Sequence, residues 1–351
     1  MRSDLVPAIS TPWATPAATV RARRDLEQAN VEMSSGKYAD VGLRMGARSV
    51  LLVEARTQSA LLKGLSDAAA TGAGRLEVVQ QSLEQASGGA QTFLQTLAPL
   101  QSGQGDPAIA VAQAKNMLEE FTAAINATSH GSSVFGGQNI SETPLAEYFS
   151  DPPSAARQAV DAAFLAKFGF TQDDPAAANI TAAQMEDFID NEFAGLFGDP
   201  DWGATWSSAG DEGMMTLVSL NDIVPVTASA NNPAIRTFAK ACVMVASLGT
   251  ENLNASARAA LAGKAMTATG EAISGFDRMR GEAGINQERV SRAAKRLEAQ
   301  NTLVEKQIAG MEQVDLYEAA NRVNALTTQL ETAYALTGRL QNLTLLRYLP
   351  A

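Results

Sequence analysis

His130 is the sole histidine of the chain and stands in Ser129-His-Gly-Ser-Ser133, a run of small residues. A serine triad needs its histidine oriented by a third group, and a histidine zinc site needs a second imidazole, so neither chemistry has its parts here. Cys242 is the sole cysteine, which excludes an internal disulfide and a thiolate zinc cluster. Its surroundings, Phe238-Ala-Lys-Ala-Cys-Val-Met-Val245, suit a small apolar core residue better than a reactive thiol. Asp199, Asp201, Asp211 and Glu212 could suggest a calcium loop. They lack the Asp-x-Asp-x-Asp-Gly order and read as a solvated acidic loop. There is no glycine-rich phosphate loop ending in Lys-Ser/Thr and no dinucleotide fingerprint, and triplets such as Asn126-Ala-Thr128 are expected by chance in an Ala/Thr-rich chain. These absences predict a protein that is not an enzyme and that needs no cofactor and no metal.

Charge and aromatic content divide the chain instead. Of a net charge of -11, residues 141–240 hold 15 acidic and 4 basic side chains, while the remainder holds 23 of each. Nucleic-acid binding, which rests on clustered cations, is therefore not expected. Eleven of the 20 aromatic residues fall in the same segment, so 140–240 is expected to be an inserted α+β domain with its own core. No run of eighteen apolar residues is present, so no membrane span is predicted. Met1 to Trp13 is polar and broken by Pro7 and Pro12, unlike a cleaved secretory signal, and any export is expected to use another route.

The elements around that centre are patterned as long helices. Leu62, Leu65, Ala69, Gly72, Leu76, Val79, Leu83, Ala86, Ala90, Phe93, Leu97 and Leu100 alternate steps of three and four, which predicts a rod of roughly 60 Å. Val20, Leu26, Ala29 and Met33 predict a helix from Ala17 that breaks at Ser34-Ser-Gly-Lys37 and restarts at Ala39. Its Arg21, Arg23 and Arg24 form either a solvated face or an ion-pairing surface between subunits. Asp106-Pro107 and Asn232-Pro233 have the cap and first-turn proline of helix starts, and Thr181 to Gln184 reads as a capping box. Ser129 to Gly137 reads as loop, and Met215 to Leu220 with Ile223 to Thr227 as a hairpin. A second very long helix is expected from Asn254, with weak points at Gly270, Gly281 and Gly284. It carries a first seam from Val290 to Met311 and a second through Leu316, Val323, Leu326, Leu330, Ala333 and Leu340. Asn301 and Asp315 interrupt these seams: they face water at a register shift, or a buried Asn301 fixes register. The final turns, with Leu336, Leu343, Leu345, Leu346 and Leu349, are apolar nearly all round, more than a single partner helix could cover. The predicted fold is mainly α: long antiparallel coiled-coil rods formed by both chain ends, with a small inserted α+β domain.

Three stretches carry a family resemblance. Met33-Ser-Ser-Gly-Lys-Tyr-Ala-Asp-Val-Gly-Leu43, with Gly36 and Lys37, is similar to the small-small-Gly-basic turn of the bacterial flagellin family. Val134-Phe-Gly-Gly-Gln-Asn139, with Phe135, Gly136 and Gly137 and followed by Pro144, resembles the loop after that family's third core helix. The close, Gln341-Asn-Leu-Thr-Leu-Leu-Arg-Tyr-Leu349, resembles the endings of its hook-associated members more than those of filament flagellins. The resemblance implies an extracellular structural subunit with an inner layer from 1–42 and 312–351, a middle layer from 43–139 and 241–311, and the acidic segment 140–240 outermost. It implies a ring or tube of identical subunits as the first partner, then flagellin, a neighbouring hook-associated protein, and an export chaperone on the carboxy-terminal helix. Neither nucleic acid nor membrane is implied. The interface is expected at Val20, Leu26, Leu316, Val323, Leu326, Leu330, Leu336, Leu340, Leu343, Leu346 and Leu349.

Overall fold

A computed structural model describes residues 14–219 and 221–342. The chain divides into a central unit, 63–298, and a terminal unit made from residues up to 62 and from 299 onward. Helices α3 (Ser49–Gln101) and α9 (Ala255–Glu312) contribute residues to both.

In the central unit, α3 and α9 lie side by side in opposite directions. Gln80 donates to Gln287 at 2.6 Å, and Arg280 approaches Glu84 at 3.8 Å. The apolar seam predicted for α3 is buried from Leu62 to Leu100, because steps of three and four keep one face of the helix toward its neighbours. Helix α4 (Pro107–Ile125), opened by the Asp106 side chain, packs against α8 (Pro233–Ser247), opened by Asn232. Phe93, Phe121, Phe238 and Phe276, one from each of α3, α4, α8 and α9, meet in the middle. The rings of Phe121 and Phe238 are 4.8 Å apart, edge to face.

The acidic segment supplies α5 (Ala155–Phe168), α6 (Ala182–Phe188) and α7 (Asp201–Thr205). The capping box at Thr181 and Gln184 forms as its residues predict. After Phe188 the helix widens to a π turn over Ile189–Phe193, which keeps Ile189 and Phe193 both buried. Its aromatic side chains join the apolar core of α3, α4, α8 and α9 without interruption. Contacts therefore divide the chain at 62/63 and 298/299, whereas charge and aromatic content divide it at 140 and 240. Composition reports what a segment contains, and an aromatic-rich segment can share a core with its neighbours as readily as enclose one.

Two hairpins complete the unit. Strands β3 (Met215–Ser219) and β4 (Asp222–Pro225) pair antiparallel; β4 ends two residues before the predicted Thr227, and Leu220 lies outside the described residues. Within the predicted loop 129–137 a second, two-residue hairpin forms, β1 (Thr128–Ser129) with β2 (Ser132–Ser133). Its turn places both His130 and Gly131 at positive φ, 51° and 77°, as a tight two-residue hairpin demands. Histidine tolerates that backbone better than most side chains, so His130 has a conformational role here.

The Phe-Gly-Gly stretch is a pairing segment. Ala228 N–H donates to the Val134 carbonyl and Ala230 N–H to that of Phe135, both at 2.8 Å, while Gly137 N–H donates to Ala228 at 3.0 Å. Phe135 is fully buried. Gly137 has φ +61°, and a Cβ there would stand 2.1 Å from the Gly210 carbonyl oxygen. Gly137→Ala should thus lose ~1–2 kcal/mol to the left-handed backbone alone, plus a backbone collision that cannot relax cheaply. Gly103→Ala is the control, with φ +75° and open space around it. Urea unfolding should show Gly137→Ala clearly more costly than Gly103→Ala; equal losses would mean that the segment carrying Gly210 yields.

Candidate assembly interface

The terminal unit is built from α1 (Ala14–Ser35), α2 (Val41–Met45), the first turns of α3, the last turns of α9, and α10 (Leu316–Asn342). Helices α1 and α10 pack against each other in opposite directions. Lys37 bridges to Gln313 just beyond their adjoining ends, and Arg322 pairs with Glu32 at 3.1 Å further along. Their shared seam consists of Ala22, Leu26, Ala29 and Glu32 on α1 and of Ala319, Val323, Leu326, Leu330 and Ala333 on α10, buried or half-buried. Alanines bring the two backbones close, while Leu26 and Leu330 fill the remaining space.

The expected interface residues accordingly separate into groups. Leu26, Val323, Leu326 and Leu330 lie in the seam inside the chain. Val20 (59% exposed), Leu316 (57%) and Leu336 (53%) face away from it. Leu340 has a described backbone only, and Leu343, Leu346 and Leu349 lie outside the described residues. Nineteen large apolar side chains are exposed among the described residues, and thirteen of them belong to this terminal unit. Leu43, Val50, Val53, Tyr317 and Tyr334 are in that group. Arg21, Arg23 and Arg24 are exposed and form no ion pair among the described residues.

Where α9 gives way to α10, the chain forms a charged knot that its motifs did not reveal. The predicted turn at Gly36 and Lys37 is present, with Gly36 at φ +69°. Val314 N–H donates to the Gly36 carbonyl at 3.0 Å and Tyr38 N–H to that of Glu312 at 2.9 Å. The Glu312 side chain is 3% exposed and accepts from Lys37 Nζ at 2.9 Å and Arg56 Nε at 3.0 Å, with the Arg56 Nη2 closing a second contact. The hydrogen bond from Lys37 holds the Glu312 carboxyl below the usual carboxylate range; burial opposes this and Arg56 adds to it. Asp315 caps α10 by accepting from Tyr317 N–H at 2.8 Å, which accounts for the polar break in the seam. Asn301 is half-buried, with Ser59 donating to it at 2.7 Å and its own amide donating to Glu305.

Several groups that could have done other chemistry are occupied. Cys242 is fully buried, and burial pushes its thiol far up, so it stays protonated. Asp199 pairs with Arg236 at 2.9 Å, Asp211 accepts from Asn231, and Glu212 accepts from Gln138. No cluster of three metal-ligating side chains occurs among the described residues, and no helix among them is long and apolar enough to cross a membrane.

Comparison of the sequence with family models finds the bacterial flagellin N-terminal helical region over residues 13–140 and the C-terminal helical region over residues 266–349. The chain belongs to the bacterial flagellin family. Flagellin-family proteins are structural and not enzymes, and they self-assemble into flagellar polymers. Both residues of the Gly-Lys turn and the whole Phe-Gly-Gly segment lie inside the N-terminal match, and Glu312 with all of α10 lies inside the C-terminal one. No curated protein matches the sequence. Among solved structures the flagellin fold is shared with one assigned as a flagellar hook-associated protein from Vibrio parahaemolyticus. The TM-score is 0.50 at 8% identity, over 76% of this chain and 97% of the other.

Proposed function

We propose that this flagellin-family chain is the subunit of the junction between hook and filament, built into a ring or short tube by its two ends. The observation that carries the reading is the gathering of exposed apolar side chains in the terminal unit, a surface that a protein acting as a free monomer would not keep. Folding and assembly are coupled: copies of the chain cover the faces of α1 and α10 that point away from their shared seam. The Leu-rich ending supports a junction role over a filament role, in keeping with the hook-associated assignment of the structural neighbour from Vibrio. A neighbouring hook-associated protein and flagellin are the partners on either side, and an export chaperone covers the carboxy-terminal helix before assembly.

Immunogold labelling of whole cells tests the position. Label confined to the hook end of each filament is expected; label along the filament would make the chain a filament flagellin instead. Deleting Leu340 to Ala351 should leave a monomer whose central unit is folded but which cannot join the structure, and normal motility in such a strain would contradict the reading.

A further inference from the structure

We infer that Met214 is an oxidation site whose sulfoxide is received by the buried guanidinium of Arg75, so that a peroxide fastens the β3–β4 hairpin to α3. The inference concerns the central unit alone and holds wherever in a flagellum the chain stands.

Arg75 lies one turn beyond Gly72 on α3 and is 9% exposed. A guanidinium carries five N–H donors and keeps its charge at any ordinary pH, so a buried one calls for carboxylates or carbonyls around it. Here the acceptor is the Met214 sulfur, 3.0 Å from Nη1, and no carboxylate pairs with Arg75 among the described residues. Asp211 and Glu212, the carboxylates closest to Met214 in sequence, are engaged by Asn231 and Gln138. A thioether is a weak acceptor, so this buried cation is held by less than it can bind.

The surroundings fix the sulfur at that place. Gly72 admits the hairpin closely, since a Cβ there would stand 2.8 Å from Val226 Cγ1 and 3.1 Å from Thr216 Cγ2. The Met214 main chain, just ahead of β3, is tied on both sides: its N–H donates to Thr227 Oγ1 at 2.7 Å, and its carbonyl accepts from Val226 N–H at 2.8 Å. The side chain itself is half-buried, within reach of a small oxidant, and the neighbouring Met215 is 51% exposed.

A hydroperoxide supplies the oxygen. The sulfur lone pair that Arg75 leaves free attacks one peroxide oxygen, the S–O bond forms as the O–O bond breaks, and the departing oxygen takes the proton of the attacked one. From hydrogen peroxide the second product is water; the sulfur gives up two electrons and the peroxide accepts them. The unbranched side chain can then turn about its Cγ–Sδ bond and present the new oxygen to the guanidinium. A hydrogen bond from a cation is roughly twice as strong as a neutral one. Oxidation of a core methionine ordinarily loosens its surroundings, whereas here it should tighten them.

Hydrogen peroxide applied to the full-length chain tests this, with the added oxygen located by tandem mass spectrometry and hydrogen exchange compared before and after. Met214 should take up one oxygen, and peptides from 212–227 should then exchange about tenfold more slowly. Arg75→Leu should reverse the sign, because a sulfoxide half-buried without a donor favours opening. Met214→Leu should show no change in those peptides on treatment, although Met215 is still oxidised. Oxidised wild-type protein exchanging as fast as the untreated chain, or faster, would overturn the inference. So would a Met214 left unoxidised where Met215 reacts, or the same slowing in Met214→Leu. Should Arg75→Leu fail to fold, the wild type and Met214→Leu decide by themselves.

Discussion

Phe238→Ala should destabilise the central unit by about 3–5 kcal/mol, the range for emptying a fully buried aromatic site. The ring stands edge to face with three others at once: Phe93 at 6.2 Å, Phe121 at 4.8 Å and Phe276 at 5.8 Å. Each neighbour comes from a different helix, so removal leaves a cavity that no single helix can close by shifting. Edge-to-face pairs add about 0.5–1.5 kcal/mol each beyond buried area, and leucine at 238 would keep most of the area while losing those pairs. The leucine variant should therefore fall between wild type and alanine in urea unfolding. The consequence is expected to be confined: exchange of peptides from 17–40 and 316–339 should change little, because their packing partners lie in the terminal unit. An alanine variant costing under about 1 kcal/mol would mean that the four helices repack around the gap.

That cluster shows what the sequence made readable. The seam of α3 repeats often enough that its buried face follows from spacing, and Phe93 is one of its members. Asn232-Pro233 announces the start of α8, five residues before Phe238. Local signals of this kind, caps and prolines and periodicity, act within one or two turns and survive folding largely unchanged. Interruptions were harder to read. Gly270, Gly281 and Gly284 were the expected weak points of the last long helix, yet α9 passes through all three without a break. A helical glycine costs about 1 kcal/mol, which packing along a long helix readily offsets. The actual break, at 313–315, is set by Gly36, Lys37 and Tyr38 from the other end of the chain. Glu312 was illegible for the same reason. A glutamate late in a polar helix reads as solvated, and what buries it, Lys37 and Arg56, lies 275 and 256 residues away. Asn301 fell between its two readings, half-buried with a cross-helix bond from Ser59. The seam from Leu316 to Ala333 was legible as a seam, but spacing alone did not tell which of its residues meet α1 and which stay exposed.

The last distinction yields the prediction with the largest effect on function. Val20→Lys combined with Leu336→Lys should leave the central unit of the monomer folded and the chain unable to polymerise. Both side chains are more than half exposed, so charging them costs the monomer little, and the α1–α10 seam of Leu26, Ala29, Ala319 and Leu330 stays intact. In the polymer the same positions are proposed to be covered by neighbouring copies. Covering a large apolar side chain contributes about 1.5–3 kcal/mol, so losing two per subunit raises the critical concentration on the order of a hundred- to ten-thousandfold. Burying the introduced ammonium groups without partners adds to that loss. Leu330→Ala is the informative contrast. Leu330 is buried against α1 within the chain, so alanine there should loosen the α1–α10 pair itself and appear as faster hydrogen exchange of 316–339 in the polymer that still forms. Sedimentation at a series of protein concentrations separates the cases. A lysine double variant with the wild-type critical concentration would exclude Val20 and Leu336 from the interface and shift the search to the exposed stripe of Val50, Val53 and Leu61 on α3.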